Sequence, residues 1–307
     1  MRALVLGGTG FIGSSVVDHL LAAGHKVRVF SRSPERFRSP LPEVDYRLAS
    51  LADIPALVEA LAGVDVVYHL ISTTVPATSN RDPVFDIESN LVGTVRLLQV
   101  VRDSGVRRLV YLSSGGTVYG PPETVPIPES HPLRPICSYG IIKVAVENYL
   151  HMFHQLHGLG YVVLRASNPY GERQGHFGVQ GIIATFLHKI KGGEELEVWG
   201  DGTLVRDFLQ VDDLARLCVL AGESDRVGIY NAGSGRGHSI REVLQFIEEA
   251  VGRSLSVAWR DGRPFDVQQV VLDITRAGAD FAWHPEIDLA TGIKNTWEHL
   301  AQPGGRG

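Results

Sequence analysis

The stretch "RALVLGGTGFIGSSVVDHLLAAGHKVRVF" (residues 2–30) contains the pattern that decides the fold. Its apolar run from Ala3 to Leu6 is typical of a strand that is buried on both faces. A cluster of glycines follows, and apolar residues then recur at helical spacing over 16–21. A second apolar run covers 26–30. The order strand, glycine turn, helix, strand predicts the first βαβ unit of a parallel sheet.

The glycines of this unit have the spacing Gly8-x-Gly10-x-x-Gly13 and lie directly before the predicted helix. Glycine lets the backbone turn tightly and approach a pyrophosphate, and the free N–H groups at the start of the helix face that anion. Because the motif follows a strand and begins a helix, we interpret it as a dinucleotide site rather than a turn without a ligand. The cofactor contacts predicted here are Gly7, Gly10, Phe11, Ile12 and Gly13.

The residues that end the second strand bear on which dinucleotide binds. An acidic residue at this point would bind the ribose hydroxyls of NAD, but the chain has Ser31 and Arg32. A guanidinium suits the 2′-phosphate of NADP, whereas the alternative is that Arg32 is a solvated loop charge. The predicted cofactor is therefore NAD or NADP, and Arg32 favours NADP.

The rest of the chain continues to alternate between strands and helices. The predicted helices cover 53–63, with Asp53 as N-cap, and 89–105, and the predicted strands cover 64–71 and 106–114. This alternation predicts an α/β fold, a Rossmann-type doubly wound parallel sheet. Ligands of such sheets lie beyond the carboxyl ends of the strands. The turns at 7–13, 71–74 and 113–117 should therefore share one edge of the sheet.

Tyr139 and Lys143 lie four residues apart in "SYGIIKVAVENYL" (138–150), which is predicted to begin a helix. Residues at this spacing share one helical face. A tyrosine hydroxyl titrates near pH 10, and a neighbouring ammonium is expected to lower that pKa. The pair could then transfer a hydroxyl proton while a hydride moves to or from a nicotinamide ring.

Composition excludes several classes of function. The net charge is −5, which provides no electrostatic footprint for nucleic acid. The two cysteines have no metal-type spacing, and a reducing cytoplasm is expected. No apolar stretch is long enough to span a membrane. The histidines of "HMFHQLH" (151–157) are interpreted as a partly exposed helix face, so no metal is predicted.

These motifs resemble the extended short-chain dehydrogenase/reductase family, and within it the nucleotide-sugar epimerases of the UDP-glucose 4-epimerase type. The resemblance covers about residues 2–300. The matching segments are "GGTGFIG" (7–13), "ESNLVGT" (88–94), "SSGGTVYG" (113–120), "SYGIIK" (138–143), "LRASNPYG" (164–171), "VWGDGTLVRDFLQVDDLA" (198–215) and "GRPFDVQQVVLDITRA" (262–277).

The resemblance implies a role for each matching residue. Tyr139 would carry the proton, and Lys143 would be its electrostatic partner and the ribose anchor. Further cofactor contacts would be Ser50 and Leu51 at the adenine, Leu70, Ile71 and Ser72 along the cofactor wall, and Asn90 and Ser113. The substrate contacts would be Asn168, Arg206, Arg263 and Asp266, since guanidinium groups suit a diphosphate and a carboxylate suits a ribose diol.

The chain departs from the family at Gly115. The family places a catalytic Ser or Thr three residues before the Val of "VYG", and this chain has no hydroxyl there. Ser114, Thr117 or a water molecule could substitute. We expect Ser114 to donate a hydrogen bond and Thr117 to contact the substrate.

The resemblance also implies an overall organisation. We expect a dinucleotide-binding domain over 1–167, to which 205–235 returns, and a smaller mixed α/β lobe for the nucleotide sugar over 168–204 and 236–300. Residues 301–307 are expected to be a disordered tail. In this family the helices equivalent to 89–104 and 139–157 pair two subunits, which implies a homodimer; the alternative is that they pack on the sheet alone.

The implied activity is NAD(P)-dependent 4-epimerisation of a UDP-sugar, UDP-glucose and UDP-galactose or their N-acetyl forms, through a transient 4-keto sugar. The epimerase interpretation favours tightly bound NAD. One alternative is an NADPH-dependent reductase of a nucleotide 4-keto-6-deoxy sugar, which Arg32 favours. A further alternative is a dinucleotide-binding regulator without catalytic activity, against which the presence of both Tyr139 and Lys143 argues.

Overall fold

A seven-stranded parallel sheet forms the centre of the computed structural model, which describes residues 1–175, 181–262 and 267–302. All neighbouring strands in this sheet are parallel. The order across the sheet is β10 (Gly228–Ala232), β6 (Gly160–Ala166), β5 (Arg108–Ser114), β4 (Val66–His69), β1 (Arg2–Leu6), β2 (Lys26–Ser31) and β3 (Asp45–Leu48). The predicted doubly wound Rossmann sheet is confirmed.

The apolar run of β1 explains the two layers of helices. Successive side chains of a strand point to opposite faces, so Ala3 and Val5 enter one hydrophobic cluster, and Leu4 and Leu6 enter the other. The first cluster is covered by α1 (Phe11–Ala22) and α8 (Val211–Glu223), and the second by α2 (Ile54–Leu61), α5 (Gly93–Asp103) and α6 (Ser138–His157). Burial on both faces leaves the strand ends as the accessible edge of the sheet.

The predicted boundaries agree with the structure at several elements. The Asp53 carboxylate accepts a hydrogen bond from the Ala56 N–H at 3.1 Å and caps α2, as predicted. The strand β3 was not predicted, because it is a short edge strand with half-buried and exposed residues and no apolar run.

The predicted helix over 89–105 is a π-helical segment over Ile87–Val92 followed by α5. Two short helices, α3 (Pro76–Ser79) and α4 (Pro83–Asp86), precede it. The Ser89 and Thr94 hydroxyls donate to the carbonyls four residues earlier, both at 2.6 Å. Such bonds compete with the helical backbone ladder, which accounts for the widened turn.

The remaining elements form a smaller layer. Its strands are β7 (Asn168–Tyr170), β8 (Leu196–Trp199), β9 (Val205–Gln210), β11 (Gly237–Ser239), β12 (Val257–Arg260) and β13 (Gln269–Val270). Its helices are α7 (Ile182–Gly192), α9 (Ile240–Val251) and α11 (Leu289–Ala301). The helix α10 (Thr275–Phe281) packs instead against the central sheet, where Ala277 and Phe281 join the first hydrophobic cluster. The strand β9 pairs with β7, β11 and β13. In contrast, α8 packs against the central sheet and β10 is a strand of that sheet.

Within the range 205–235 that was predicted to return to the first domain, β9 thus pairs in the smaller layer, whereas α8 and β10 belong to the central sheet. The domain boundaries stay a prediction. The tail from 303 onward lies outside the described residues. No helix in the described part of the chain is long and apolar enough to cross a membrane.

Candidate active site

The glycine turn after β1 packs directly against the start of α1. Gly7 has φ +86°, a left-handed conformation that favours glycine. A Cβ on Gly13 would lie 2.1 Å from the Gly7 carbonyl oxygen, so no larger residue fits there. Gly10 is exposed, and its N–H donates to the Gly7 carbonyl at 3.0 Å. The turn thus leaves bare backbone and the first N–H groups of α1 open to a ligand.

A cleft runs from this turn between the ends of β2 and β4. Seven of the predicted cofactor residues line it together with three that the sequence did not single out. The lining is Gly7, Thr9, Gly10, Ser31, Arg32, Ser33, Arg36, Leu70, Ile71 and Ser72. A glycine cradle, an apolar wall and a polar, basic end fit the pyrophosphate, the rings and the ribose of a dinucleotide.

Three predicted cofactor residues, Phe11, Ile12 and Gly13, begin α1, where the helix N–H groups are free. Ser50 and Leu51 follow β3. The Ser50 hydroxyl accepts a hydrogen bond from the Ala52 N–H at 3.3 Å, and Leu51 packs against the cluster under α2. Their contact with adenine stays a prediction.

Asn90 is engaged with the loop after β4. Its side-chain oxygen accepts from the Thr73 N–H at 2.9 Å, and its amide nitrogen donates to the Thr73 hydroxyl at 2.7 Å and to Asp86 at 2.8 Å. These contacts fix the loop that forms one wall of the cleft. A direct contact of Asn90 with the cofactor stays a prediction.

Asp86 was missed by the sequence analysis. Its buried carboxylate accepts from the Thr74 hydroxyl at 2.6 Å and from the Ser138 hydroxyl at 2.7 Å. Ser138 is the first residue of α6 and precedes Tyr139. Asp86 therefore ties the loop after β4 to the start of the helix that carries Tyr139. Only its spacing of four from Asn90 could have indicated this role.

Tyr139 and Lys143 share one face of α6, as predicted. The Lys143 ammonium is 5.3 Å from the centroid of the Tyr139 ring and 4.7 Å from that of Tyr111. It donates a hydrogen bond to the Leu112 carbonyl at 2.8 Å, and the side chain is 6% exposed. The pair therefore lies at the carboxyl end of β5, on the same edge as the cleft.

The pKa values of this pair differ from the expectation. Burial lowers the pKa of Lys143 to about 8, although the negative charges of Glu147 and Asp86 act to raise it. Burial also raises the pKa of Tyr139 above its usual value, and Cys137 and Asp86 add to that effect. The prediction that Lys143 lowers the pKa of Tyr139 is wrong, because burial dominates in this structure. A cation brought next to the phenol would oppose this shift.

Ser113 does not present its hydroxyl to the cleft. The side chain is 3% exposed and donates to the Glu147 carboxylate at 2.6 Å. Glu147 in turn pairs with Arg165 at 2.6 Å, and both are buried. The Ser113 hydroxyl thus belongs to a buried network behind Lys143, and the contact of Ser113 with the cofactor stays a prediction.

The position that lacks a hydroxyl is filled from another part of the chain. A Cβ on Gly115 would lie 2.5 Å from the Leu272 side chain and 3.0 Å from the Arg165 carbonyl. Ser114 follows Ser113 in β5, so strand alternation directs it away from α6. The Thr117 hydroxyl is buried and has no hydrogen-bond partner among the described residues. An unpartnered buried hydroxyl favours Thr117 as a ligand contact; the roles of Ser114 and Thr117 stay predictions.

Two of the predicted substrate residues, Asn168 and Arg206, lie on strands β7 and β9 of the smaller layer. The Asn168 amide donates to the Asp207 carbonyl of β9 at 2.8 Å, and Arg206 donates to the Val205 carbonyl at 2.8 Å. Arg263 and Asp266 lie outside the described residues. Their contacts with a nucleotide diphosphate or ribose stay predictions.

Comparisons with known proteins agree with this geometry. The model of the NAD dependent epimerase/dehydratase family matches residues 3–233. A UDP-glucose 4-epimerase from Mycolicibacterium smegmatis is 37% identical, over 97% of this chain and 98% of that relative.

Two solved structures are also similar. A UDP-glucose 4-epimerase from Thermotoga maritima with UDP-glucose has a TM-score of 0.91 and 35% identity, over 98% of each chain. A UDP-glucose 4-epimerase from Thermus thermophilus in complex with NAD has a TM-score of 0.90 and 36% identity, over 98% of this chain and 99% of that one.

The family model covers most of the chain and includes the glycine turn, the cleft and the pair on α6. The resemblance found in the sequence is thereby confirmed, and the chain belongs to the NAD dependent epimerase/dehydratase family, a branch of the extended short-chain dehydrogenases/reductases.

Proposed function

We propose that the chain interconverts UDP-glucose and UDP-galactose, or their N-acetyl forms, by NAD(P)-dependent 4-epimerisation. The observation that carries this proposal is the Tyr139–Lys143 pair at the same sheet edge as the glycine-lined cleft. The relatives named as UDP-glucose 4-epimerases, which align over nearly the whole chain, support the epimerase over the reductase alternative.

In this proposal, Tyr139 takes the proton of the sugar C4 hydroxyl and later returns it. A bound dinucleotide supplies a hydride acceptor and donor at its nicotinamide ring. Because Gly115 offers no hydroxyl, Tyr139 exchanges the proton without a neighbouring catalytic serine, and Thr117 holds the sugar. The 4-keto sugar would rotate in the site and present its opposite face to the dinucleotide, so that the configuration at C4 would invert without net oxidation.

Lys143 supports Tyr139 through charge rather than by proton transfer. Its ammonium is fixed by the Leu112 carbonyl and lies beside the phenol ring. A fixed positive charge favours the tyrosinate form of Tyr139. Its effect prevails when a second cation next to the phenol offsets the rise in pKa that burial causes. Lys143 would also donate to the ribose of the cofactor.

The experiment is incubation of the purified chain with UDP-galactose or UDP-glucose and no added reductant. The expected result is interconversion of the two sugars without net oxidation. Chromatography of the nucleotide sugars measures it. Turnover only with a 4-keto sugar and stoichiometric NADPH would indicate the reductase. Dinucleotide binding without turnover of either substrate would indicate the regulator.

We propose that two chains pair through the helices near 89–104 and 139–157, as the resemblance implies. Exposed apolar side chains extend this surface to α4 and to Ile136 just before α6, and the whole is called here the apolar surface. Large apolar side chains are exposed on it, which is unusual for a monomer. They are Val84, Phe85, Ile87, Val92, Ile136, Ile141, Met152 and Leu156. Such a dimer would cover the helices that also carry Tyr139 and Asp86.

The double substitution Ile141→Glu with Leu156→Glu is expected to convert a dimer into a monomer. These side chains are 56% and 67% exposed. A carboxylate there stays solvated in a single chain, so it costs that chain little stability, but it would be buried in the dimer interface and destabilise the dimer. Light scattering coupled to size exclusion measures the mass. The control is Val58→Glu on α2, 52% exposed and outside the apolar surface. A monomeric unsubstituted chain would refute the dimer.

We also propose that the enzyme acts in the cytoplasm. The cysteines Cys137 and Cys218 are both free thiols in the described residues. Free thiols, one of them buried, fit a reducing compartment.

A further inference from the structure

A second cavity lies apart from the cofactor cleft, between the loop 234–238 and the segment 284–290 that leads into α11. Its volume is about 640 Å³, which is within the size range of small-molecule sites. Among the residues that the structure describes, none lines both this cavity and the cofactor cleft. The predicted substrate contacts Asn168 and Arg206 are not part of its lining either. The proposed reaction therefore leaves this cavity without a role.

One wall of the cavity is apolar. Phe208 of β9 and Leu289 of α11 are buried there, and Phe246 of α9, Ile274 and Ile287 are partly buried. Such a wall binds best to a group that also loses contact with water, and aromatic side chains contribute most to that gain. The wall therefore favours a ligand that carries an apolar ring.

Three basic side chains line the same cavity: Arg236, His238 and His284. The Arg236 side chain is exposed and forms no hydrogen bond or ion pair within the described ranges 1–175, 181–262 and 267–302. The Nδ1 of His238 is buried and lies 3.7 Å from the Glu242 carboxylate, without a hydrogen-bond partner in that part of the chain. A guanidinium and imidazoles with donors to spare suit an anionic group.

The two carboxylates of the lining are already engaged. Glu286 pairs with Arg216 at 3.1 Å. Asp288 accepts from the Thr291 N–H at 2.8 Å and caps α11. The hydrogen bonds from Thr291, and to a smaller extent the charge of Arg236, hold the pKa of Asp288 below its usual value. Since each carboxylate has its own partner, the lining repels an anion less than its two acidic residues alone would.

Two buried aspartates hold the walls of the cavity in place. Asp207 accepts from the Ser234 N–H and hydroxyl, both at 2.7 Å, and from the Gly235 N–H at 3.3 Å. Asp213 accepts from two consecutive N–H groups of the segment 284–290, at 3.0 Å each. The two side chains are 0% and 2% exposed. Because the walls are fixed in advance, a ligand would lose less binding energy to ordering them.

We propose that this cavity is a second binding site, for a small organic anion that carries an apolar ring. The ring lies against Phe208 and Phe246, and the anionic group lies at Arg236 and His238. A guanidinium binds a carboxylate or phosphate through two parallel hydrogen bonds, to which an imidazole adds a third donor. The inference goes beyond the proposed function, because neither the dinucleotide nor the nucleotide sugar is expected to occupy this part of the molecule.

The test measures binding to the full-length chain in the presence of saturating NAD and UDP, which occupy the catalytic sites. Phenyl phosphate is the probe, and phenol and inorganic phosphate represent its two halves. Calorimetric titration is expected to show one site for phenyl phosphate with a dissociation constant of roughly 1 mM or below. Each half is expected to bind at least about 10-fold more weakly, since it lacks either the ring contacts or the charged hydrogen bonds.

Three variants assign the binding to the cavity. Arg236→Gln is expected to weaken phenyl phosphate by about 10-fold or more and to leave phenol within about twofold. Ala290→Phe is expected to abolish binding of both, because the larger side chain fills the cavity that Ala290 lines. Arg260→Gln is the control: Arg260 lies on β12 outside the lining and pairs with Glu197 at 2.7 Å. It removes the same charge without removing a ligand contact.

No saturable binding of phenyl phosphate up to about 20 mM would overturn the proposal. So would an affinity equal to that of inorganic phosphate, unchanged binding in Arg236→Gln, or a loss in Arg260→Gln as large as in Arg236→Gln. Binding that disappears when UDP is added would assign the probe to the nucleotide-sugar site and would also refute the inference. If Ala290→Phe does not fold, Arg236→Gln decides alone, because that side chain is exposed. The readout is binding, so a chain that does not epimerise can still confirm this site.

Discussion

Tyr139→Phe is expected to lower kcat for sugar interconversion by about 10²- to 10⁴-fold, the usual contribution of a positioned acid–base group. The phenol oxygen is the atom that would exchange the proton with the sugar. Among the described residues this oxygen donates and accepts no hydrogen bond, while the ring keeps its place beside Lys143. The substitution therefore removes the proton carrier and should leave the free energy of unfolding within about 0.5 kcal/mol of its original value.

The measurement is the initial rate with UDP-galactose, together with an unfolding curve for each variant. Tyr149→Phe is the matched control, since it removes a hydroxyl from the same helix, ten residues further along and remote from the cleft. It should change the rate less than about twofold. A Tyr139→Phe variant that keeps more than a tenth of the activity would mean that another group moves the proton.

The sequence predicts the central sheet well because each of its signals is local. The run from Ala3 to Leu6, the glycine spacing and the helical periodicity after it all lie within about 30 residues, and the structure agrees with each. Asp53 caps α2 for the same reason, since its partner is three residues away. The pair Tyr139 and Lys143 is equally local, so its shared face could be predicted from spacing alone.

What the sequence could not predict depends on contacts between distant segments. Leu272 fills the space beside Gly115 from 157 positions further along, and Asp86 reaches Ser138 across 52 positions. Nothing in the local pattern pairs such residues. The pKa of Tyr139 was mispredicted for a related reason: the sequence gives the neighbouring ammonium but not the degree of burial that outweighs it.

The network behind Lys143 is the most consequential of these distant contacts. Arg165 of β6 donates two hydrogen bonds to Glu147 of α6, at 2.6 and 3.1 Å, and one to the Tyr119 hydroxyl at 3.0 Å. Tyr119 in turn donates to Asn231 of β10 at 2.6 Å. The ion pair is 2% and 3% exposed. Burial lowers the pKa of Arg165, but the hydrogen bonds and charge of Glu147 reverse this and raise it overall.

Glu147→Gln is expected to destabilise the chain by about 3–5 kcal/mol, the usual cost of leaving one partner of a buried pair uncompensated. The Arg165 guanidinium would stay buried without a counter-charge, and Ser113 would lose a charged acceptor. Denaturant unfolding, compared at the midpoint with an unchanged slope, measures the difference. The control is Asp103→Asn, which breaks the bidentate pair of Arg102 and Asp103 on the surface, with side chains 40% and 66% exposed. That loss should be below about 1 kcal/mol.

The double substitution Glu147→Leu with Arg165→Met separates the two explanations of such a loss. If the cost comes from the unpaired charge, removing both partners should recover most of the stability, because apolar residues of similar volume replace buried ion pairs at little cost. If the pair instead holds α6 and β6 together by its own attraction, the double variant should be at least as unstable as Glu147→Gln. We expect recovery of stability together with lower turnover, since Glu147 also raises the pKa of Lys143 and thereby keeps the ammonium beside Tyr139 charged.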